Sequence, residues 1–276
     1  MKERKKDYYS IGDVSKICNV SRKAMRFYDE IGLIKPDKVG SNNYRYYSRE
    51  ALLNLTILKY YKQMGFKLEE MRALMDTEEY QVIEHGFLEK IGELREEATA
   101  IQDKLTSVSD WYDLLLEAQT VILNNATEVS IKYIEPEEYG CMEQAYNADS
   151  KEACINLDWT EHLDEINCEI AGAVMIVFPS YKERMQDTCE TMRIMQKMIR
   201  PGRKSQTIRM GGGMFLSCYH IGPHTTLNRT YEKMIDWAAE HNYKLGEEAW
   251  ERYVTDYWTT KNEEMFVTEI RLQVFR

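Results

Sequence analysis

Nine apolar residues, Phe87, Ile91, Leu94, Ala98, Ile101, Leu105, Val108, Tyr112 and Leu115, recur at alternating steps of four and three. This is a period of about 3.5 residues, held for four heptads, and it specifies a helix with one narrow apolar seam. No proline interrupts the chain between Pro36 and Pro136. At about 1.5 Å per residue the seam is roughly 43 Å long. A helix of that length cannot cover such a seam by itself, so the pattern predicts a coiled-coil dimerisation helix over 78–124 and a homodimer. Leu88, Trp111 and Leu116 widen the stripe, which implies a second packing partner for the same helix.

Charge divides the chain at this helix. Residues 1–77 carry a net charge of +6 and residues 78–276 a net charge of −16, within a total of −10 over 276 residues. A basic head suits a polyanion, and an acidic body repels one. The 43% apolar fraction is enough for packed cores. No window reaches the roughly 18 apolar residues of a membrane span, and the charged N-terminus lacks the apolar run of a secretory signal. A cytoplasmic location with no membrane partner is expected. The six cysteines, Cys18, Cys141, Cys154, Cys168, Cys189 and Cys218, form no CxxC and read as free thiols.

The head reads as short helices. Ser10 precedes Ile11, Val14 and Ile17; Asn19 breaks the run, and Ser21 caps a second helix from Arg22 to about Glu30. Gly32 and Pro36 end it. Asn42-Asn43 with three nearby tyrosines predicts a small β-hairpin over 41–48, and helices follow from Ser48 to Gly65 and from Lys67 to Met75. Asn124-Asn125-Ala126 marks the exit from the long helix. Beyond it, strand patterns at 129–134, 171–178, 212–221, 251–258 and 265–275, with a helix over 225–241, predict an α+β domain over 128–276.

The segment SIGDVSKICNVSRKAMRFYDEIGLIKP, followed by NNYRYYS, resembles the MerR family of transcriptional regulators. Its pattern falls on Arg26, Phe27, Tyr28, Gly32, Leu33, Ile34, Pro36, Tyr44, Arg45 and Tyr47. The resemblance implies a winged helix-turn-helix over 8–77 whose second helix enters the major groove of promoter DNA. Arg22 and Arg26 share a helix face with Lys23 beside them, so Ser21, Arg22, Lys23, Arg26 and Tyr28 on the helix are DNA-contact candidates, as are Tyr44, Arg45 and Tyr46 on the wing. The family further implies an inverted-repeat site, distortion of that promoter, and RNA polymerase as a partner acting with an activator.

In the second half, His220-Ile221-Gly222, Leu227, Tyr231, Trp237, Glu251-Arg252-Tyr253, Asp256 and Thr268-Glu269-Ile270 resemble the GyrI-like effector-binding domain of multidrug-sensing MerR regulators. His224 departs from the family's usual Tyr. The resemblance places a carboxylate, here Glu251, at the base of a pocket for a hydrophobic small molecule that is cationic or aromatic. Alternation along a strand puts Tyr253 on the same face as Glu251. Tyr146, Tyr139 and Met265 are further lining candidates, aromatic faces favouring a cation and methionine accommodating varied shapes. Glu251 could instead be neutralised by Arg252 or Lys244. The absence of cysteine between Cys18 and Cys141 argues against metal sensing, and no cofactor is expected. No G-x-S-x-G, Walker loop or H-E-x-x-H is present. The expectation is therefore a regulator and not an enzyme, with slow hydrolysis using Glu251 as general base as the alternative.

Overall fold

The computed structural model describes residues 7–41, 43–165, 169–200 and 207–276. Asn42 and Cys168 lie outside the described residues. The chain divides into two compact units at Ala98/Thr99.

In the first unit, strand β1 (Tyr9–Ser10) leads into helix α1 (Ile11–Ile17). Ser10 and Asp13 form a reciprocal cap: the Asp13 N–H donates to Ser10 Oγ at 3.2 Å, and the Ser10 N–H donates to Asp13 Oδ2 at 3.1 Å. Asn19, at φ 49°, turns the chain into α2 (Arg22–Glu30), where Ser21 Oγ accepts the Ala24 N–H at 3.0 Å. Strands β2 (Lys38–Val39) and β3 (Arg45–Tyr47) complete a small antiparallel sheet in the order β1-β3-β2. Asn43 at φ 59° makes the turn between them. Helices α3 (Arg49–Gln63) and α4 (Leu68–Asp76) close the unit over a core that includes Val14, Met25, Tyr28, Tyr47, Leu55, Leu58 and Met71.

Helix α5 (Tyr80–Asn124) is continuous for 45 residues. From Ile91 to Leu115 its predicted seam lies open in the single chain: Leu94 is 44% exposed, Ile101 64% and Val108 68%. Ala98 is also exposed. Phe87 differs from the expectation, because its ring packs edge-on against Phe66 at 5.2 Å and belongs to the core of the first unit. The opposite stripe of α5, Leu114, Ala118 and Val121, is buried against Val254 and Val267. Trp111 joins that cluster, while Leu88 and Leu116 stay exposed.

The second unit is built on an antiparallel sheet of β4 (Ser130–Ile134), β5 (Glu137–Ala145), β6 (Ile170–Phe178), β7 (Thr191–Met198), β8 (Thr207–Met210), β9 (Gly213–Ile221), β10 (Lys244–Thr255) and β11 (Val267–Phe275). Their order is β4-β9-β11-β10-β6-β7-β5-β8. Helices α6 (Ser150–Cys154), α7 (Leu157–Glu165), α8 (Tyr181–Met185) and α9 (Leu227–Glu240) accompany it. Strand alternation gives each side its own core: Ile176 and Phe178 pack with Tyr231 and Met234 of α9, whereas Met175 and Val177 pack with Phe215 and Trp250. Strands β5, β7 and β8 were not expected from the sequence, and the strand predicted at 251–258 runs instead over 244–255. No helix among the described residues is long and apolar enough to cross a membrane. Cys18, Cys141, Cys154, Cys189 and Cys218 are free thiols.

Candidate functional site

Helix α2 is amphipathic. Met25 and Tyr28 point into the core, which leaves Ser21, Arg22, Lys23 and Arg26 exposed together on the other side. Three cations over five positions, on a helix entered through a tight turn, form a surface shaped for a polyanionic groove. Tyr28 does not belong to that surface: only 6% exposed, its ring is core packing. On the wing, Tyr44 is 57% exposed and Tyr46 is half-buried. Arg45, expected to reach outward, donates from Nε to Asp29 Oδ2 at 2.5 Å and ties the wing to α2. Its partner Asp29 stands in no motif that would mark it in the sequence.

In the second unit, β10 carries Glu251 and Tyr253 on the side that faces α9, with Arg252 on the opposite side. Glu251 has no exposed surface. Its Oε1 accepts hydrogen bonds from Tyr231 Oη at 2.8 Å and Arg184 Nε at 2.9 Å; its Oε2 accepts from Tyr253 Oη at 2.6 Å and Arg184 Nη2 at 3.4 Å. Burial acts to raise the Glu251 carboxyl, but Arg184 and the two tyrosine hydroxyls outweigh it and hold the pKa below the usual carboxylate value. The neutralising cation is therefore Arg184, from α8. Arg252 instead clamps Glu117 of α5 through two bonds of 2.6 and 2.8 Å, and Lys244 is exposed.

Aromatic rings wall this site. The Arg184 guanidinium carbon lies 4.8 Å from the Phe178 ring centre and 5.8 Å from that of Tyr146, and the two rings meet edge-on at 5.0 Å. His224 is buried among Tyr253, Phe266 and Tyr257, at ring separations of 4.9, 5.0 and 5.5 Å. Burial pushes its pKa down to about 4, so the ring is neutral at physiological pH, and neither ring nitrogen has a hydrogen-bond partner. His220 is structural: Nδ1 lies 2.8 Å from Thr230 Oγ1, and Nε2 lies 3.0 Å from Thr226 Oγ1.

Of the expected effector residues, the fold thus gathers Glu251, Tyr253 and Tyr146. Tyr139 lines a separate cleft of about 600 Å³ with Glu117, Lys132, Arg252, Glu269 and Arg271. Met265 sits 44% exposed in a short turn before β11, and its side chain is not part of the core packed around Tyr253 and Tyr231. In the cleft, Glu269 accepts from Ser217 Oγ and Arg271 Nη2, both at 2.6 Å, and from Lys132. Burial opposes ionisation of Glu269, yet Arg271, Lys132 and Arg252 bring its carboxyl down to about 2. The cleft is also lined by Asp110, Asp113, Glu135, Glu137 and Lys197, so its acidic groups outnumber its basic ones.

Comparison with known proteins places both halves. The family model described as MerR HTH family regulatory protein matches residues 9–78, and that described as GyrI-like small molecule binding domain matches residues 160–274. The HTH-type transcriptional regulator CueR of Escherichia coli O6:H1 is 36% identical over 98 residues, covering 34% of this chain and 73% of CueR. The chain belongs to the MerR family. It is a ligand-responsive, DNA-binding transcriptional regulator, with a helix-turn-helix head and a GyrI-like body. Two relatives match along nearly the whole length. Multidrug-efflux transporter 2 regulator of Bacillus subtilis is 23% identical, with 99% of both chains covered. Multidrug-efflux transporter 1 regulator of the same organism is 26% identical, covering 98% of this chain and 99% of the relative. Among the described residues, no group of three or more His, Cys, Asp and Glu side chains is arranged to hold a metal ion.

Proposed function

We propose that this MerR-family chain acts as a homodimer on an inverted-repeat promoter and senses a lipophilic aromatic or cationic small molecule through the Glu251 face of its body. The observation that carries this reading is the fully buried, ionised Glu251 set among Tyr146, Phe178, Tyr231 and Tyr253 in a GyrI-like domain. A buried carboxylate among aromatic faces is a place built for a cation, a place that Arg184 fills in the chain alone. The names of the two full-length relatives, both regulators of multidrug-efflux transporters, support the same ligand class.

The open seam of α5 supports the dimer, since an apolar stripe at heptad spacing is stabilised by a second copy of itself. Arg22, Lys23 and Arg26 of α2 make the DNA contacts, Ser21 starts that helix, and Tyr44, Arg45 and Tyr46 border it on the wing. Each head takes one half-site, and the effector favours a DNA-distorting arrangement from which RNA polymerase initiates; that demands differential affinity of the effector for the two arrangements. Hydrolysis with Glu251 as general base is disfavoured, because its pKa is lowered and its oxygens are engaged by three donor side chains.

The test selects an operator from random duplex DNA with the purified chain. Transcription from that operator is then measured with RNA polymerase, with and without an aromatic cation. An inverted repeat and effector-dependent transcription, lost in Glu251→Gln, are expected. Failure to select a sequence, or effector-dependent output that persists in Glu251→Gln, would refute the reading.

A further inference from the structure

The cation position of the Glu251 site is already filled by the chain itself. We propose that Arg184 is a built-in competitor there, and that the site takes planar aromatic cations of the amidinium or guanidinium type, which enter by displacing the Arg184 side chain. The inference rests on the reading of the Glu251 face as the effector site.

Three features of Arg184 carry it. Its fork meets the carboxylate with Nε on one oxygen and Nη2 on the other, a pairing that matches a planar delocalised cation better than a spherical one. Its guanidinium carbon lies within cation–π range of Phe178 and Tyr146, at 4.8 and 5.8 Å, where an aromatic ligand's charge would lie. The side chain is only 6% exposed, so no second cation reaches Glu251 while it stays in place.

Arg184 also stands on a short element held by few contacts that can be named. Helix α8 has five residues, from Tyr181 to Met185. It is started by Ser180, whose Oγ accepts the Glu183 N–H at 3.4 Å, and Arg184 Nη1 reaches Asp187 Oδ1 at 3.2 Å, on a residue at φ 54°. Asn228 Nδ2 of α9 donates to the Met185 carbonyl at 3.0 Å. Asp187 is a surface carboxylate, 63% exposed, that can keep the guanidinium paired when Glu251 is surrendered to a ligand. Displacement therefore exchanges one cation for another at a buried carboxylate and never leaves Glu251 unpaired. The exchange makes the position of α8 depend on whether ligand is bound.

The test measures calorimetric dissociation constants of benzamidine and of tetraphenylphosphonium for the full chain, wild type against Arg184→Met. Removing the competitor should tighten benzamidine binding about tenfold, equivalent to ~1.4 kcal/mol. The gain should be smaller for tetraphenylphosphonium, which has no N–H fork, and should vanish in Arg184→Met/Glu251→Gln. If Arg184→Met does not fold, Arg184→Lys, which keeps the charge and loses the fork, should show a smaller gain of the same sign. Equal Glu251-dependent affinity in wild type and variant would overturn the competitor and leave the effector site standing. No cation binding to any folded variant would overturn both. Hydrogen exchange of 181–187 is the second readout: benzamidine should reduce its protection in wild type, and unchanged protection at saturation would contradict the displacement.

Discussion

Arg45 on the wing donates to Asp29 at the end of α2 over 2.5 Å, so the wing and helix α2 are joined by a charged contact between residues sixteen positions apart. The pair is partly exposed, with side-chain exposures of 34% and 19%, and water screens it, so it adds little to stability. Its importance lies in orientation. Asp29→Ala should leave the melting temperature within a few degrees of wild type yet weaken operator binding. Arg45→Ala should weaken it further and reduce the salt slope by about one, as for loss of a phosphate contact. An unchanged slope in Arg45→Ala would mean that this side chain only positions the wing.

Arg22 opens α2 on its exposed face. If it reads a base edge, Arg22→Ala should cost about 1–3 kcal/mol of specific binding and relax sequence preference at one position of each half-site. Effector affinity should not change. Unaltered operator binding would show that the helix presents a different face to the groove.

Leu94 and Ile101 lie on the open stripe of α5, 44% and 64% exposed in the single chain. Leu94→Glu/Ile101→Glu should sediment as a monomer with its helical circular dichroism reduced only modestly. An intact dimer would place the self-association surface elsewhere.

Asp256, immediately after β10, is 3% exposed, and burial lifts its carboxyl from 3.8 to about 6 even though the Trp258 N–H bonds to it at 2.8 Å. Between those two values the unfolded chain has released its proton while the folded chain keeps it. The unfolded state is thus favoured progressively as pH rises from about 4 to 6, and the loss is complete above 6, amounting to about 2–3 kcal/mol. Asp256→Asn keeps the acceptor and removes the ionisation. It should stabilise the protein by about 2 kcal/mol at pH 7.5 and have little effect at pH 4, as read by urea denaturation at both pH values. Equal effects at the two would contradict this assignment.

The features legible in the sequence are those whose cause is local. The α5 seam is written in a spacing that any helix converts to a stripe, and Ser10, Ser21 and Ser48 announce helix starts that all appear. Glu251 and Tyr253 share a face because strand alternation leaves no alternative. Other features depend on partners distant in the chain. Arg184 lies 67 positions from Glu251, on a five-residue helix too short to leave a periodic signal. Strand β7, with Arg193, Gln196 and Lys197 among methionines, lacks β-branched alternation, and β5 contains Gly140 and three glutamates. The start of β10 was hidden because its pairing with β11 shifts between Leu245 and Ala249, which breaks the alternation over Gly246, Glu247 and Glu248. Tyr28, grouped with Arg22 and Arg26 by its place on the helix, is separated from them only by the packing of its ring in the core.

Whether Glu251 receives the charge of an effector is read from thermal stability. The full chain and Glu251→Gln would each be melted against benzamidine and other aromatic cations, neutral aromatics and aromatic anions. A ligand at about 100 times its dissociation constant adds roughly 2.7 kcal/mol of stability. Aromatic cations should raise the melting temperature of wild type and lose that effect in Glu251→Gln. Stabilisation by anions alone, or by cations equally in both proteins, would contradict this role and make the Glu251–Arg184 pair purely structural.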